Sequence, residues 1–230
     1  MTSYCFRILI ALCCLPVQLM AQQPSMTYQW EGDVNTKIND QIRINFGSAY
    51  RSLWTDEIGE TPFDWQSQHL QFATNFSVDV GFFGKIGGGI MYRFNTVGDS
   101  DAVNELRSTQ QYTYGRRYNS LRIVHRLKLD QRFRDSRATV HRFRYRLSAD
   151  LPLAGLKLDT GEFYIVASLE TLLNAASADR PEWDERFVLG LGNQILADLK
   201  IQLDIEYRIE AFNINRDQRI FVITALVYNL

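Results

Sequence analysis

From Asn119 to Leu151, charged and apolar residues exchange places at almost every step. Even positions hold Arg122, Arg126, Lys128, Asp130, Arg132 and Arg134, while odd positions hold Leu121, Ile123, Leu127, Leu129 and Phe133. The next segment repeats the design, with Arg142, Arg144, Arg146 and Asp150 set against Phe143, Tyr145, Leu147, Ala149 and Leu151. Successive side chains of a strand point to opposite faces, so a period of two means extended chain with one polar and one apolar face. Both stretches outrun the roughly five or six residues of an ordinary soluble strand. Their length suits a strand that crosses a bilayer.

The same periodicity predicts strands over 28–38, 41–54, 67–80 and 85–97, then the two basic strands on either side of a tight turn at Asp135-Ser136. Pro152 closes the second of these, because proline is confined to strand ends and edges. Further strands follow over 161–171, 185–194, 199–211 and 218–230, the last apolar on both faces. Asn39-Asp40 forms a turn-prone pair between the first two. Residues 98–117 are polar and form the longest segment without a period. Helical periodicity is missing throughout. The expected fold is all-β: a closed, antiparallel, up-and-down transmembrane β-barrel of about ten strands (8–12). With about ten strands, the long connections 55–66, 98–117 and 152–160 are even-numbered. That reverses the order expected when both termini lie in the periplasm, and a further strand within 104–117 would change the count.

The first residues add a destination. Arg7, the apolar run Ile8 to Leu15 and the close Leu19-Met20-Ala21 read as a secretory signal over residues 1–21, leaving 22–230 as one barrel domain. The run is interrupted by Pro16 and Gln18 and is too short to span ~30 Å of hydrocarbon. Cys5, Cys13 and Cys14 all fall inside the signal, so the mature chain has no disulfide, thiolate metal site or cysteine nucleophile. The formal net charge is −1, with 25 Lys and Arg against 26 Asp and Glu. Nucleic acid as a partner would call for a basic excess. Beyond the signal no apolar run approaches a spanning helix, so a chain bound for the bacterial outer membrane crosses it as strands.

Alternation alone does not say which face points inward. A soluble lipocalin-like barrel turns its apolar face in, toward an apolar ligand. The charges argue for the opposite. A turn at Asp135-Ser136 allows a register that sets Asp130 opposite Arg142 and Arg122 opposite Asp150. Glu162 and Glu170 of the seventh predicted strand, with Asp204, Glu206 and Glu210 of the ninth, occupy the same kind of face. Arginines on one wall and carboxylates on another are explained if they meet across a lumen. Trp30, Trp54, Tyr92 and Tyr207 are read as strand-end aromatics of an interfacial girdle.

Several of these stretches carry a resemblance. His125-Arg126-Leu127-Lys128-Leu129-Asp130-Gln131-Arg132-Phe133 and Arg142-Phe143-Arg144-Tyr145-Arg146-Leu147 resemble an uncharacterised bacterial family, domain of unknown function family 2490. So do Gly161-Glu162-Phe163, Arg186-Phe187 with Gly190-Leu191-Gly192, Glu206-Tyr207 and the early Trp30. Glu185-Arg186 stands where the family pattern has Asn-Arg. The resemblance implies an exported outer-membrane barrel and supplies no catalytic residues.

The leading candidate site is a lumen charge network of Arg122, Arg126, Lys128, Asp130, Arg132, Arg142, Arg144, Arg146, Asp150, Glu162, Glu170, Asp204 and Glu206. Guanidinium forks match carboxylate and phosphate, so the network offers anion binding. The structural alternative is a salt-bridged filling of a narrow lumen, since buried charges must be paired. The glycines Gly84, Gly87, Gly88 and Gly89 lack the Lys-Ser/Thr ending and following helix of a phosphate loop, and suit a crowded lumen. His125 and His141 fall on the apolar face too far apart to share a site, and His69 with Asp79 is no stronger. Asp99, Ser100, Asp101, Asn104 and Glu105 offer oxygens to a calcium ion without full ligand spacing. The expectation is a non-enzymatic outer-membrane barrel without cofactor, surrounded by outer-membrane lipids and open to a small anionic solute. It serves as a structural or binding component or a narrow passage. The alternatives are a membrane-embedded lipid-modifying enzyme and a soluble periplasmic carrier.

Overall fold

The computed structural model describes residues 25–55, 64–96, 102–177 and 179–230. The expected signal over 1–21 lies outside the described residues. Among the described residues eleven strands run in chain order: β1 (Ser25–Lys37), β2 (Ile42–Thr55), β3 (Asp64–Val80), β4 (Gly84–Asn95), β5 (Glu105–Tyr118), β6 (Leu121–Arg134), β7 (Val140–Pro152), β8 (Phe163–Ala175), β9 (Glu182–Gln194), β10 (Leu199–Glu210) and β11 (Asp217–Asn229). Each pairs antiparallel with its sequence neighbour, and the barrel closes through a parallel pairing of β1 with β11. That seam runs from Ser25 opposite Arg219 to Asn35 opposite Asn229, and the Leu230 amide continues it to the Asn35 carbonyl at 2.7 Å.

The strand beyond the expected ten is β5, inside the segment read as a polar connection. Its alternation is hard to see because polar residues break the apolar face in mid-strand. Glu105, Arg107, Thr109 and Gln111 share the inward face, and Ser108 and Gln110 interrupt the outward one. In an apolar wall those two need partners. Gln110 and Gln131 of β6 exchange side-chain hydrogen bonds at 3.2 and 2.9 Å, and Gln110 also donates to Ser108 at 3.1 Å.

The added strand also reorders the connections. One rim carries the ends of β2, β4, β6, β8 and β10 and the starts of the strands that follow them; the other carries the ends of β1, β3, β5, β7 and β9 and the starts of the strands that follow those. The first is called the long-loop rim and the second the short-turn rim. Connection 153–162, even-numbered in a ten-strand count, therefore belongs to the short-turn rim. Two short turns have legible causes. Asn39 Oδ1 accepts from the amides of Gln41 and Ile42 at 3.0 and 2.8 Å, closing the β1–β2 turn with its own side chain. Asn119 adopts φ 53° in the two-residue β5–β6 hairpin, a left-handed conformation that asparagine tolerates.

Orientation follows the charge argument. Phe72, Phe76, Ile90, Leu127, Leu189 and Leu203 are all at least half exposed on the outside, while the charged residues alternating with them face inward. The last strand differs, since its inward face is Phe221, Ile223 and Ala225, all buried. Tyr92 packs edge-on to Phe94 (4.8 Å), and Tyr207 lies 6.5 Å from Phe187, both near the long-loop rim. Trp30 departs from the expected girdle: it stands in mid-strand, edge-on to Tyr28 at 5.8 Å. The side chain of Trp54 lies outside the described residues.

Candidate functional site

The middle of the lumen is filled by ion pairs built on three carboxylates, Glu105, Asp130 and Glu170, none more than 1% exposed. Glu105 of β5 holds Arg107 at 2.5 Å, Arg132 at 2.6 Å and Arg134 at 3.6 Å. Asp130 of β6 takes Arg144 at 2.8 Å, Lys128 at 3.7 Å and the Thr109 hydroxyl at 2.8 Å. Glu170 of β8 gathers Arg146 at 3.1 Å, Arg126 at 3.4 Å, Arg186 at 3.6 Å and Arg144 at 3.8 Å.

Register explains why Glu170 is so crowded. Arg126, Arg146, Glu170, Arg186 and Arg208 are successive cross-strand partners from β6 to β10. Like charges directly opposite one another repel, and one carboxylate in the centre of the row supplies the compensation. Arg208 turns instead to Glu206 on its own strand. Arg51, Arg93 and Arg142 reach amides, not carboxylates: Gln29 at 2.8 Å, Gln71 at 2.8 Å and Asn174 at 2.6 Å. Phe221 lies between two guanidiniums, with Arg208 3.6 Å and Arg51 4.7 Å from its ring centre, an arrangement the negative ring face favours.

The predicted register is observed, with Asp130 opposite Arg142 and Arg122 opposite Asp150. Arg122 and Asp150 meet only loosely, at 3.7 Å on the short-turn rim. Arg126, Lys128, Asp130, Arg132, Arg144, Arg146 and Glu170 form the ionic middle described above. Two predicted members stand apart. Glu162 lies in the connection before β8, where its carboxylate accepts the Asp159 amide at 3.0 Å and caps the loop. Asp204 faces inward but accepts from Gln202 at 2.8 and 2.9 Å, with no ion pair among the described residues. The lumen roles of Glu105, read from sequence as a calcium oxygen, and of Arg107 were hidden with β5. Arg186 and Arg208 obey the same even parity as the basic strands and could have been read from it.

The glycines make room for large neighbours. A Cβ on Gly192 would enter the Tyr164 ring, whose hydroxyl donates to Gln202 at 2.9 Å, and one on Gly190 would meet Asp204. On β4, Gly87 and Gly89 face the lumen, and the Asn75 amide lies over Gly89. The histidines stay separate. His125 shares a 2.9 Å hydrogen bond with the Tyr145 hydroxyl on the outer wall, and His141 stands opposite Gln131 as expected. His69 is buried in the lumen, whereas Asp79 belongs to the short-turn rim with Arg43 at 2.9 Å and Lys85 at 3.2 Å, so the two do not form a pair. The calcium reading fails at Glu105, which is committed to the lumen arginines, and at Asn104, which accepts the Asn95 amide at 3.2 Å. Residues 99–101 lie outside the described residues. Among the described residues no group of three or more His, Cys, Asp or Glu is placed to hold a metal.

Cavities flank the ionic middle. At the short-turn rim one of about 460 Å³ lies between Asp33, Asn45, Asn75, Gln111, Arg126 and Lys128, and another of about 260 Å³ lies near Arg122, Asp150, Tyr164 and Lys200. At the long-loop rim a cavity of about 150 Å³ is bordered by Arg132, Arg142, Asn174 and Arg180.

The model of the family described as "Protein of unknown function (DUF2490)" matches residues 30–219. No curated protein matches the sequence. Among solved structures, an anion-selective porin from Comamonas acidovorans is similar over 80% of this chain at 12% identity, with a TM-score of 0.37. The chain spans about half of that porin, covering 55% of its length.

Proposed function

From a chain that belongs to the DUF2490 family of proteins of unknown function and folds as an eleven-stranded barrel, we propose an integral outer-membrane protein whose lumen is blocked by its own ion pairs. It acts as a structural and binding component of that membrane, surrounded by its lipids, and not as an open route for solutes. In this reading the barrel carries no reaction of its own and needs no cofactor.

One observation carries the proposal: the wall is apolar outside, and the middle is charged and buried inside. Leucine, isoleucine and phenylalanine exposed over the outer surface are stable against hydrocarbon and costly against water. Glu105, Asp130 and Glu170, withdrawn from water, are held only because guanidiniums surround them. Backbone pairing closed around the barrel satisfies the other demand of a bilayer, that no strand edge face lipid.

The test joins location, integrity and flow. The protein should fractionate with outer membranes, require detergent for extraction and migrate faster unheated than boiled on a denaturing gel. Reconstituted in planar bilayers, it should give no steady conductance. A mature chain that stays monodisperse in plain buffer would end the membrane reading, and stable single-channel steps would end the blocked-lumen reading.

A further inference from the structure

The larger short-turn cavity has two unlike walls. One wall is an amide ladder across neighbouring strands. Asn75 donates to Asn45 at 3.1 Å, Asn45 donates to Asp33 at 2.8 Å and to Asn35 at 3.0 Å, and Asn35 donates to Asn229 at 3.1 Å. Each amide offers two donors and two acceptor positions, so the ladder retains hydrogen-bonding capacity beyond its own links. The facing wall is basic. Lys128 is linked to a carboxylate only at 3.7 Å, and Arg126, held to Glu170 at 3.4 Å, keeps part of its side chain exposed to the cavity. Between these walls, Gly89 leaves room for the Asn75 amide and Gly87 for Gln111 and Ser77, and those side chains line the cavity.

We propose that this vestibule is a binding site for a hydroxylated anion of monosaccharide size, a sugar acid or sugar phosphate. Lys128 and Arg126 take the acidic group, and the asparagine ladder takes the hydroxyls. Its volume of about 460 Å³ lies within the roughly 300–1,000 Å³ of small-molecule sites. Such sites are usually apolar, and an apolar ligand would leave this ladder unmet. A bare inorganic anion would satisfy the cations and leave the amides to water. Asp33 is the one side-chain carboxylate among the lining residues, and it is engaged by Asn45, so it does not cancel the basic wall. The inference rests on the proposed blocked lumen, because the Asp130–Arg144 and Glu170 pairs make the vestibule a dead end that holds a ligand instead of passing it.

The experiment is titration calorimetry on the folded barrel in a polyoxyethylene detergent, which carries neither sugar nor charge. Glucuronate and glucose 6-phosphate are compared with glucose and inorganic phosphate. The hydroxylated anions should bind, and both controls should bind more weakly by about tenfold or more, the loss expected when one charge-assisted or several neutral hydrogen bonds go unmade. Lys128→Gln should weaken glucuronate by a similar factor. Because that change touches the ionic middle, a second variant is decisive. Gln111 stands directly opposite Lys128, and Gln111→Glu keeps the volume, gives Lys128 a carboxylate neighbour and should abolish anion binding while the heat-shifted gel band persists. Native mass spectrometry of protein drawn directly from membranes separates the sources of the ligand: a lipid-borne glycan is retained with its acyl mass, and a free sugar is not. Equal binding of glucuronate and glucose, phosphate as tight as glucose 6-phosphate, or an unaffected Gln111→Glu barrel would each overturn the assignment. With conductance absent and the heat shift intact, such a failure leaves the blocked membrane barrel standing.

Discussion

Glu170→Gln is the sharpest single perturbation of the ionic middle. The substitution keeps shape and removes one negative charge from a carboxylate that four guanidiniums approach within 3.8 Å. Each attraction is worth on the order of 4–5 kcal/mol before desolvation, at an effective dielectric constant near 20. The net cost of leaving buried partners unmatched is smaller, about 3–5 kcal/mol. For a domain of this size 1 kcal/mol moves the thermal midpoint by about 2–4 °C, so the expected fall is about 6–20 °C. The assay follows the heat-shifted gel band or circular dichroism against temperature in one detergent. Asp217→Asn is the reference, because its pair with Arg219 is largely solvated and such pairs contribute at most about 1 kcal/mol. Adding Arg146→Gln to Glu170→Gln should recover part of the loss by removing one stranded cation. If Glu170→Gln melts no earlier than Asp217→Asn, the lumen is wet enough to solvate its own charges, and the account of its cohesion is wrong.

Other expectations follow from single contacts. Gly192→Val drives a side chain into the Tyr164 ring; overpacking of that kind costs about 1–3 kcal/mol, and a lower melting midpoint would register it. Phe221→Ala empties the space between Arg51 and Arg208 and should cost about 3–5 kcal/mol; a midpoint equal to the parent's in the same melt would show that the ring is not what holds those guanidiniums apart. On the outer wall, Gln110→Leu strands Gln131 in an apolar setting and should destabilise the barrel. The double change with Gln131→Leu should restore the midpoint to near the parent value, and a double variant less stable than the single would refute the pairing argument.

Much of the fold was legible because two requirements coincide on β6 and β7: apolar residues must face out and charges must meet inside. One turn at Asp135-Ser136 then fixes the register that sets Asp130 against Arg142. The same parity assigns Arg186 and Arg208 to the lumen. β5 escaped because alternation is visible only when the two faces differ, and Ser108 and Gln110 make its outer face resemble its inner one. Missing that strand concealed Glu105, the acid that holds Arg107, Arg132 and Arg134. Glu162 was misplaced because parity continues through a strand end although the strand does not, and a turn amide at Asp159 claimed its carboxylate. The amide ladder was not legible at all, since Asn35, Asn45 and Asn75 lie on three strands and only the pairing brings them side by side.

The parallel seam has a consequence for how the ring is sized. β10 runs opposite to β1, so without β11 the remaining ten strands would have the polarity for an all-antiparallel ring, whose pairing is slightly more stable per residue. Leaving β11 out would exchange two strand junctions for one and strand its backbone, so the odd-numbered ring accepts a single parallel junction to keep every strand paired. With that strand come Phe221, Ile223 and Ala225, an apolar stave in a lumen otherwise lined by charge.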